Sequence, residues 1–330
     1  MSPTFSRSSK NDSPVRARAR FRPNRAWVFI TLWVLLGGCA SVPPPPWDIL
    51  PETAPARTLI PSVPFYAQKA YQCGPAAMAI ALGWSGLDVT PDDLAPAVYT
   101  PDRKGSLQAD LIGAARRSGR LPYPVAGMEC LLREIAAGHP VIVLQNLGLR
   151  WFPRWHYAVA IGYDRPAGQI ILHSGVVANR RVGFATFQRT WQRADQWGLV
   201  VVPPREMPAC AEEQPYLEAG LALQQSGRAA AAESAFAAAA RRWPQSFGAW
   251  MALGNLQYAR GDSDAALQAF ENATRIDPTD GAAYNNLAHV LAGLGRWDQA
   301  ETAAARAVAL GGRHIDLFRQ TLEEIRRNRR

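Results

Sequence analysis

The chain has 330 residues, 48% of them hydrophobic, with 36 basic and 27 acidic side chains. That length allows two modest domains with real cores, and the ordinary apolar content excludes a disordered chain. Seven basic residues fall within residues 1–38 against one acid, Asp12, so most of the excess positive charge sits there. The remainder carries no nucleic-acid footprint, and no nucleic-acid partner is expected.

Residues 1–38 read as a targeting segment rather than as fold. A basic region ends at Arg25, and residues 26–36 are apolar but too short to span a bilayer as a stable helix. Leu36-Gly37-Gly38-Cys39 follows and resembles a bacterial lipobox. The resemblance implies acylation of Cys39 as the first mature residue. It also implies delivery to the outer membrane of a Gram-negative bacterium, facing the periplasm, with the acyl chains supplying membrane affinity. That oxidising compartment leaves Cys73, Cys130 and Cys210, enough for one disulfide and one free thiol. If Cys73 is the free thiol, Cys130 and Cys210 are left to pair. Residues 39–60 read as a tether, with Pro43 to Pro46 a stiff polyproline spacer.

Residues 61–204 read as α+β. Within Cys73-Gly74-Pro75-Ala76-Ala77, Pro75 falls where a first helical residue belongs, because its missing N–H is unpaired there anyway. An apolar helix over 76–84 then places Cys73 at or just before a helix N-terminus. Free N–H groups and the aligned peptide dipoles favour thiolate there. Gly74 is read as room for a substrate backbone. Gln68, five residues upstream, is read as a side-chain donor to an oxyanion. Ser106 is expected to cap a helix over 107–118, and 128–137 reads as another. The period then changes. Residues 140–145 read as a buried strand, 156–163 as an alternating one, 169–173 as its return after a turn at Asp164, and 198–202 as a closing strand. Residues 184–195 read as helical. Helices before an antiparallel sheet make an α+β domain.

From residue 212 the composition turns Ala-rich and repeats every 34 residues without gaps. Tyr216, Trp250 and Tyr284 keep that spacing, as do Gly220, Gly254 and Ala288, and Gly227, Gly261 and Gly295. Pro244, Pro278 and Gly312 mark the turns between units. The period and positions resemble tetratricopeptide repeats, over about 215–246, 247–280 and 281–314, with a last helix to residue 330. The resemblance implies helix–turn–helix units whose small residues let helices pack closely, and a surface that binds a protein partner.

A Cys nucleophile needs a base that also returns the proton to the leaving group. His156, at the start of the alternating strand, is the candidate. Gln68, the Cys73-Gly74-Pro75-Ala76-Ala77 motif and His156-Tyr157-Ala158-Val159-Ala160-Ile161-Gly162-Tyr163-Asp164 together resemble the bacteriocin-processing, double-glycine cysteine peptidases. The resemblance implies a papain-like fold and a Cys-His-Asp triad cutting peptide bonds, often after Gly-Gly. It assigns Cys73 as nucleophile, His156 as base and Gln68 as oxyanion donor, with Gln72 an alternative to Gln68. The family's Asp-Pro falls on Leu172-His173-Ser174-Gly175, so His173 is expected in the place of the orienting Asp, with Asp164 as fallback. A neutral imidazole there orients the base without stabilising its cation, which lowers rate. No cofactor is expected. A zinc ion on Cys73, His156 and His173 is the metal alternative. The segment from Trp151 to Trp155 is read either as part of a substrate groove or as a packed loop. The rival functions are a weak or inactive peptide-binding domain, an assembly protein whose repeats do the work, and a transfer reaction such as transamidation through the same Cys-His pair.

Overall fold

A computed structural model describes residue 50 and residues 54–329 of the protein. Cys39, the signal segment and most of the tether lie outside the described residues.

A seven-stranded antiparallel sheet organises the first domain. In chain order the strands are β1 (Arg57–Leu59), β2 (Leu121–Ala126), β3 (Val141–Asn146), β4 (Trp155–Asp164), β5 (Gln169–Ser174), β6 (Val177–Gly183) and β7 (Trp197–Val202). Their order across the sheet is β2-β7-β3-β4-β5-β6, with β1 paired to the far end of β4. The helices are α1 (Cys73–Trp84), α2 (Pro91–Val98), α3 (Gln108–Arg117), α4 (Gly127–Ala136) and α5 (Phe184–Gln192). Strand alternation sends side chains to two cores. Ile142, Tyr157, Val159, Ile161 and Val201 pack with Met78, Ile80 and Leu82 of α1 and Leu111 of α3. Val141, Val143, Ala158, Ala160 and Val200 pack with Leu131 and Ile135 of α4 and Phe187 and Trp191 of α5.

Three strands and one helix were not expected from the sequence. The strand β2 contains Pro122 and Pro124, which cannot donate, and an edge position tolerates both. The opposite edge, β6, has no buried residue and so no apolar alternation. The short strand β1 and the helix α2, capped at both its first-turn donors by Thr90 and Asp93, complete the set. Residues 63–66, which lead to the Cys73 helix, form no strand.

The repeats follow as six helices in three pairs: α6 (Glu213–Gln225) with α7 (Ala229–Arg242), α8 (Phe247–Arg260) with α9 (Ser263–Ile276), and α10 (Gly281–Gly293) with α11 (Trp297–Leu310); α12 (Ile315–Asn328) covers the end. Gly227, Gly261 and Gly295 each turn a unit with φ of +74°, +87° and +72°, a conformation that Gly alone adopts without strain. The two domains share a core. Tyr216, Leu223 and Phe236 of the first repeat join the cluster under α4 and α5. The connection is also fastened covalently by a Cys130–Cys210 disulfide, with Cα atoms 5.6 Å apart, leaving Cys73 as a free thiol. Beside it the fully buried Glu134 accepts from the Cys210 N–H at 2.9 Å and pairs with His139 Nδ1 at 2.6 Å. No helix among the described residues is long and apolar enough to cross a membrane.

Candidate active site

Cys73 is the first residue of α1, and His156 is the second of β4. Both line one cavity of about 870 Å³, together with Gln68, Tyr157 and Gly175. The Gln68 backbone N–H donates to Gly175 O at 3.0 Å and its side-chain Nε2 donates to Tyr157 O at 3.1 Å. Among the described residues, no second acceptor takes the other amide hydrogen of Gln68, which lines the cavity with Cys73. Gln72 instead lines a different cavity with Phe65 and Asp92, so it is not the alternative donor.

The side chain within hydrogen-bond distance of His156 is Ser174, not His173. His156 Nε2 lies 2.9 Å from Ser174 Oγ. His173 pairs across the sheet with Val159, not with a residue on the face of His156. Its ring packs edge-on to Phe65 at 5.1 Å, its Nδ1 accepts from the Asn179 N–H at 3.2 Å, and its Nε2 faces Val63 O at 3.4 Å. The cause is a β-bulge. The hairpin begins with Asp164 opposite Gln169, and that register carried straight on sets His173 opposite Ala160, on the His156 face. A one-residue irregularity between Ala160 and Gly162 slips the pairing, so His173 meets Val159 instead. The extra residue is in β4: Ala160 and Tyr163 fall in one core across the bulge, whereas β5 alternates unbroken, with Ile170 and Leu172 in that core and Ile171 in the other. The slip also removes the zinc alternative, since His173 no longer converges with Cys73 and His156. Asp164, the fallback, closes the turn at the far end of β4. There it accepts from the Ala167 N–H and pairs with Arg57 at 3.2 Å and Arg181 at 3.3 Å.

The electrostatics also depart from expectation. Burial pushes the Cys73 thiol up, and backbone hydrogen bonds from Tyr157, Gly74 and Cys73 itself only partly offset it. Burial thus outweighs the pull of the helix N-terminus on the thiol. Burial, with the charge of Arg180 added, depresses His156 to about 4. Arg180 pairs with Leu172 across β6, which puts it on the sheet face that carries His156 and Ser174. Among the described residues no hydrogen bond joins Cys73 to His156. Both shifts favour the uncharged forms, thiol and imidazole.

Two neighbours correct local readings. Gly74 is buried, and a Cβ on it would lie 2.2 Å from Ser106 Oγ and 2.4 Å from Ser106 Cβ. It makes room for the loop before α3, not for a substrate. Ser106 correspondingly caps nothing: α3 starts at Gln108, and Asp110 takes the Leu107 N–H at 3.2 Å. The Trp151–Trp155 segment is not a packed loop, since Trp151 is 81% and Phe152 73% exposed. Its last two residues, Arg154 and Trp155, line the cavity.

Residues 60–198 match the Peptidase C39 like family, and residues 217–281 and 257–317 match two tetratricopeptide repeat families. No curated protein matches the chain in sequence. Among solved structures, one described as a C39-like peptidase from Bacillus anthracis is 17% identical, with a TM-score of 0.38, covering 44% of this chain and 97% of that one. The Yersinia enterocolitica type III secretion chaperone SycD, in complex with a peptide of the translocator YopD, is 20% identical, with a TM-score of 0.33, covering 35% of this chain and 92% of that one. The chain thus carries an α+β domain of the C39-like peptidase fold, followed by tetratricopeptide repeats of the kind that mediate protein–protein interaction.

Proposed function

We propose that the first domain is a cysteine peptidase that works by general-base activation of a neutral thiol. One observation carries this: a free Cys at a helix N-terminus and a strand His held by a hydroxyl open into the same cavity as a side-chain amide donor. With Nε2 donating to Ser174 Oγ, Nδ1 of His156 keeps its lone pair. It takes the thiol proton as Cys73 Sγ attacks the peptide carbonyl. The Cys73 backbone N–H, at the start of a helix, and the Gln68 side-chain amide stabilise the oxyanion. The imidazolium returns its proton to the departing amine, and His156 then activates water against the thioester. Ser174 orients the ring but brings no negative charge, so the imidazolium is less stabilised than beside a carboxylate and turnover is slow. Peptides containing Gly-Gly are the first substrates to try, on the resemblance alone.

The repeats recruit a protein partner in this reading. Acylation of Cys39 tethers the protein to the outer membrane on its periplasmic side. The lipobox-like segment supports that placement, and the Cys130–Cys210 disulfide suits an oxidising compartment. Labelling cells with a radioactive fatty acid tests it: wild type takes up label and Cys39→Ala does not.

A second reading, a peptide-binding domain without turnover, is favoured by Ser174 and Arg180 standing where a catalytic His has most use for a carboxylate. Hydrolysis of a fluorogenic Gly-Gly peptide separates the two. The peptidase reading expects turnover that falls about a thousandfold or more in Cys73→Ala and in His156→Ala. Binding without turnover in the wild type supports the second.

A further inference from the structure

The cavity is lined by four cations and no acid. Lys69, Arg103, Lys104 and Arg154 face it, and neither Asp nor Glu does. Lys69 is neutralised by Asp92 at 2.8 Å. Among the described residues, Arg103, Lys104 and Arg154 are in no ion pair; Lys104 only overlies the Tyr71 ring, 5.9 Å from its centre. All three are exposed. They come from two walls. Arg103 and Lys104 sit on the turn between α2 and α3, and Arg154 sits at the mouth of the β3–β4 hairpin.

The sheet wall is part of a larger bias. Residues 135–194 hold seven arginines and a single acid, Asp164. That acid is spent on Arg57 and Arg181 at the far end of β4. Arg180, on the face of His156, adds to the field from the edge strand and is in no ion pair among the described residues. A cleft lined by one sign of charge concentrates ligands of the other sign. Aromatic surface lies beside the cations, with Tyr71 59% and Trp155 56% exposed at the cavity. Peptide side chains can lie against those rings while their carboxylates reach the guanidinium groups.

We propose that this cleft selects acidic peptides, with carboxylates beside the scissile bond held by Arg103 and Lys104 on one wall and Arg154 on the other. The selection rests on the peptidase reading for its bond cleavage, but not for its binding. A plain Gly-Gly peptide leaves these three cations unused.

The test uses the full chain carrying Cys73→Ala and three fluorescein-labelled decapeptides with a central Gly-Gly flanked by Glu, Gln or Lys. Affinity is measured by anisotropy at 50 mM and 500 mM NaCl. The Glu peptide is expected to bind about tenfold more tightly than its Gln isostere at low salt, falling to about twofold at high salt as the charges are screened. The Lys peptide is expected to bind more weakly than either. Adding Arg103→Gln, Lys104→Gln and Arg154→Gln is expected to erase the Glu preference, and circular dichroism checks that this exposed triple variant still folds. Equal affinity for Glu and Gln, no binding by any peptide, or a Glu preference that survives in the triple variant overturns the proposal. Hydrolysis by the wild type is scored separately. Selective binding without turnover defeats the peptidase reading and leaves the acidic preference standing. Turnover at equal kcat/KM for Glu and Gln peptides does the reverse.

Discussion

The repeat domain and the sheet of the first domain use regular secondary structure in opposite ways. In the repeats, one position does one job every 34 residues. Gly220 faces the ring of Phe236, where a Cβ would come within 2.9 Å, and Gly254 faces Phe270 at 2.8 Å. In the third unit the small residue grows to Ala288, and the facing residue, 34 after Phe270, shrinks to the buried Ala304. A change on one helix is met on its partner and the architecture continues. In the sheet, one extra residue of β4 at the Ala160–Gly162 bulge puts Tyr163 on the face of Ala160 and shifts the register in which β5 meets β4. The identity of the group behind His156 changes with it. A helix pair absorbs a change in volume, whereas a strand converts a change in register into a change of face.

The largest expected effect concerns the thiol. Alkylation of Cys73 by iodoacetamide should rise only at a pH above that of an ordinary thiol, be about a hundredfold or more slower at pH 6, and keep that profile in His156→Ala. Rapid alkylation at pH 6 that collapses in His156→Ala would show a resident ion pair and break the neutral-pair account.

A pH dependence of stability comes next. His156 is depressed to about 4 in the folded chain against an unperturbed 6.5. Between those values the unfolded chain binds the proton that the folded chain refuses, so stability rises with pH through this window. It is lost as pH falls from 6.5 to 4, by on the order of 3 kcal/mol for this group. Urea titrations at pH 7 and pH 4 should show a smaller acid loss in His156→Gln than in wild type.

The repeat contrast is sharpened by Gly254→Ala. The new Cβ presses on the Phe270 ring, and the expected net cost is about 1–2 kcal/mol after the helix preference of Ala is counted. Ala288→Gly meets no such ring and should cost about 1 kcal/mol through helix propensity alone. A gain in stability from Gly254→Ala, as helix propensity alone would give, would end the paired-volume account. Ser174→Asp gives the sheet a carboxylate at His156 Nε2. It should raise kcat/KM for peptide hydrolysis about tenfold and move the base pKa upward. The smallest effect is expected at the neighbouring residue, where His173→Gln should change kcat/KM less than threefold. A larger loss there than at Ser174→Ala would reinstate His173 as the orienting group.

Much of the framework was legible in the chain. Pro75 and the apolar run behind it place Cys73 at a helix start, because Pro suits only the first turn. Alternation over the segment after His156 marks β4, since one face of it meets α1 and the other meets α4 and α5. The edge strands were hidden because a strand buried on neither side, or punctuated by Pro, carries no alternation to read. Ser174 was hidden for a different reason. Aligning the family's Asp-Pro with this stretch reaches His173, and nothing in the local residues announces the bulge that sets its face.

The sequence by itself determined the two architectures, the helix-start Cys, the strand His and the 34-residue period, all of which follow from spacing along one element. Tertiary structure decided which residue backs His156, why Gly74 has no side chain, and which charge state the thiol keeps. It also gathered Arg103, Lys104, Arg154 and Arg180, from distant parts of the chain, around one cleft. Those outcomes depend on register, burial and the summed field of several elements, which are properties of distances that no single stretch of sequence contains.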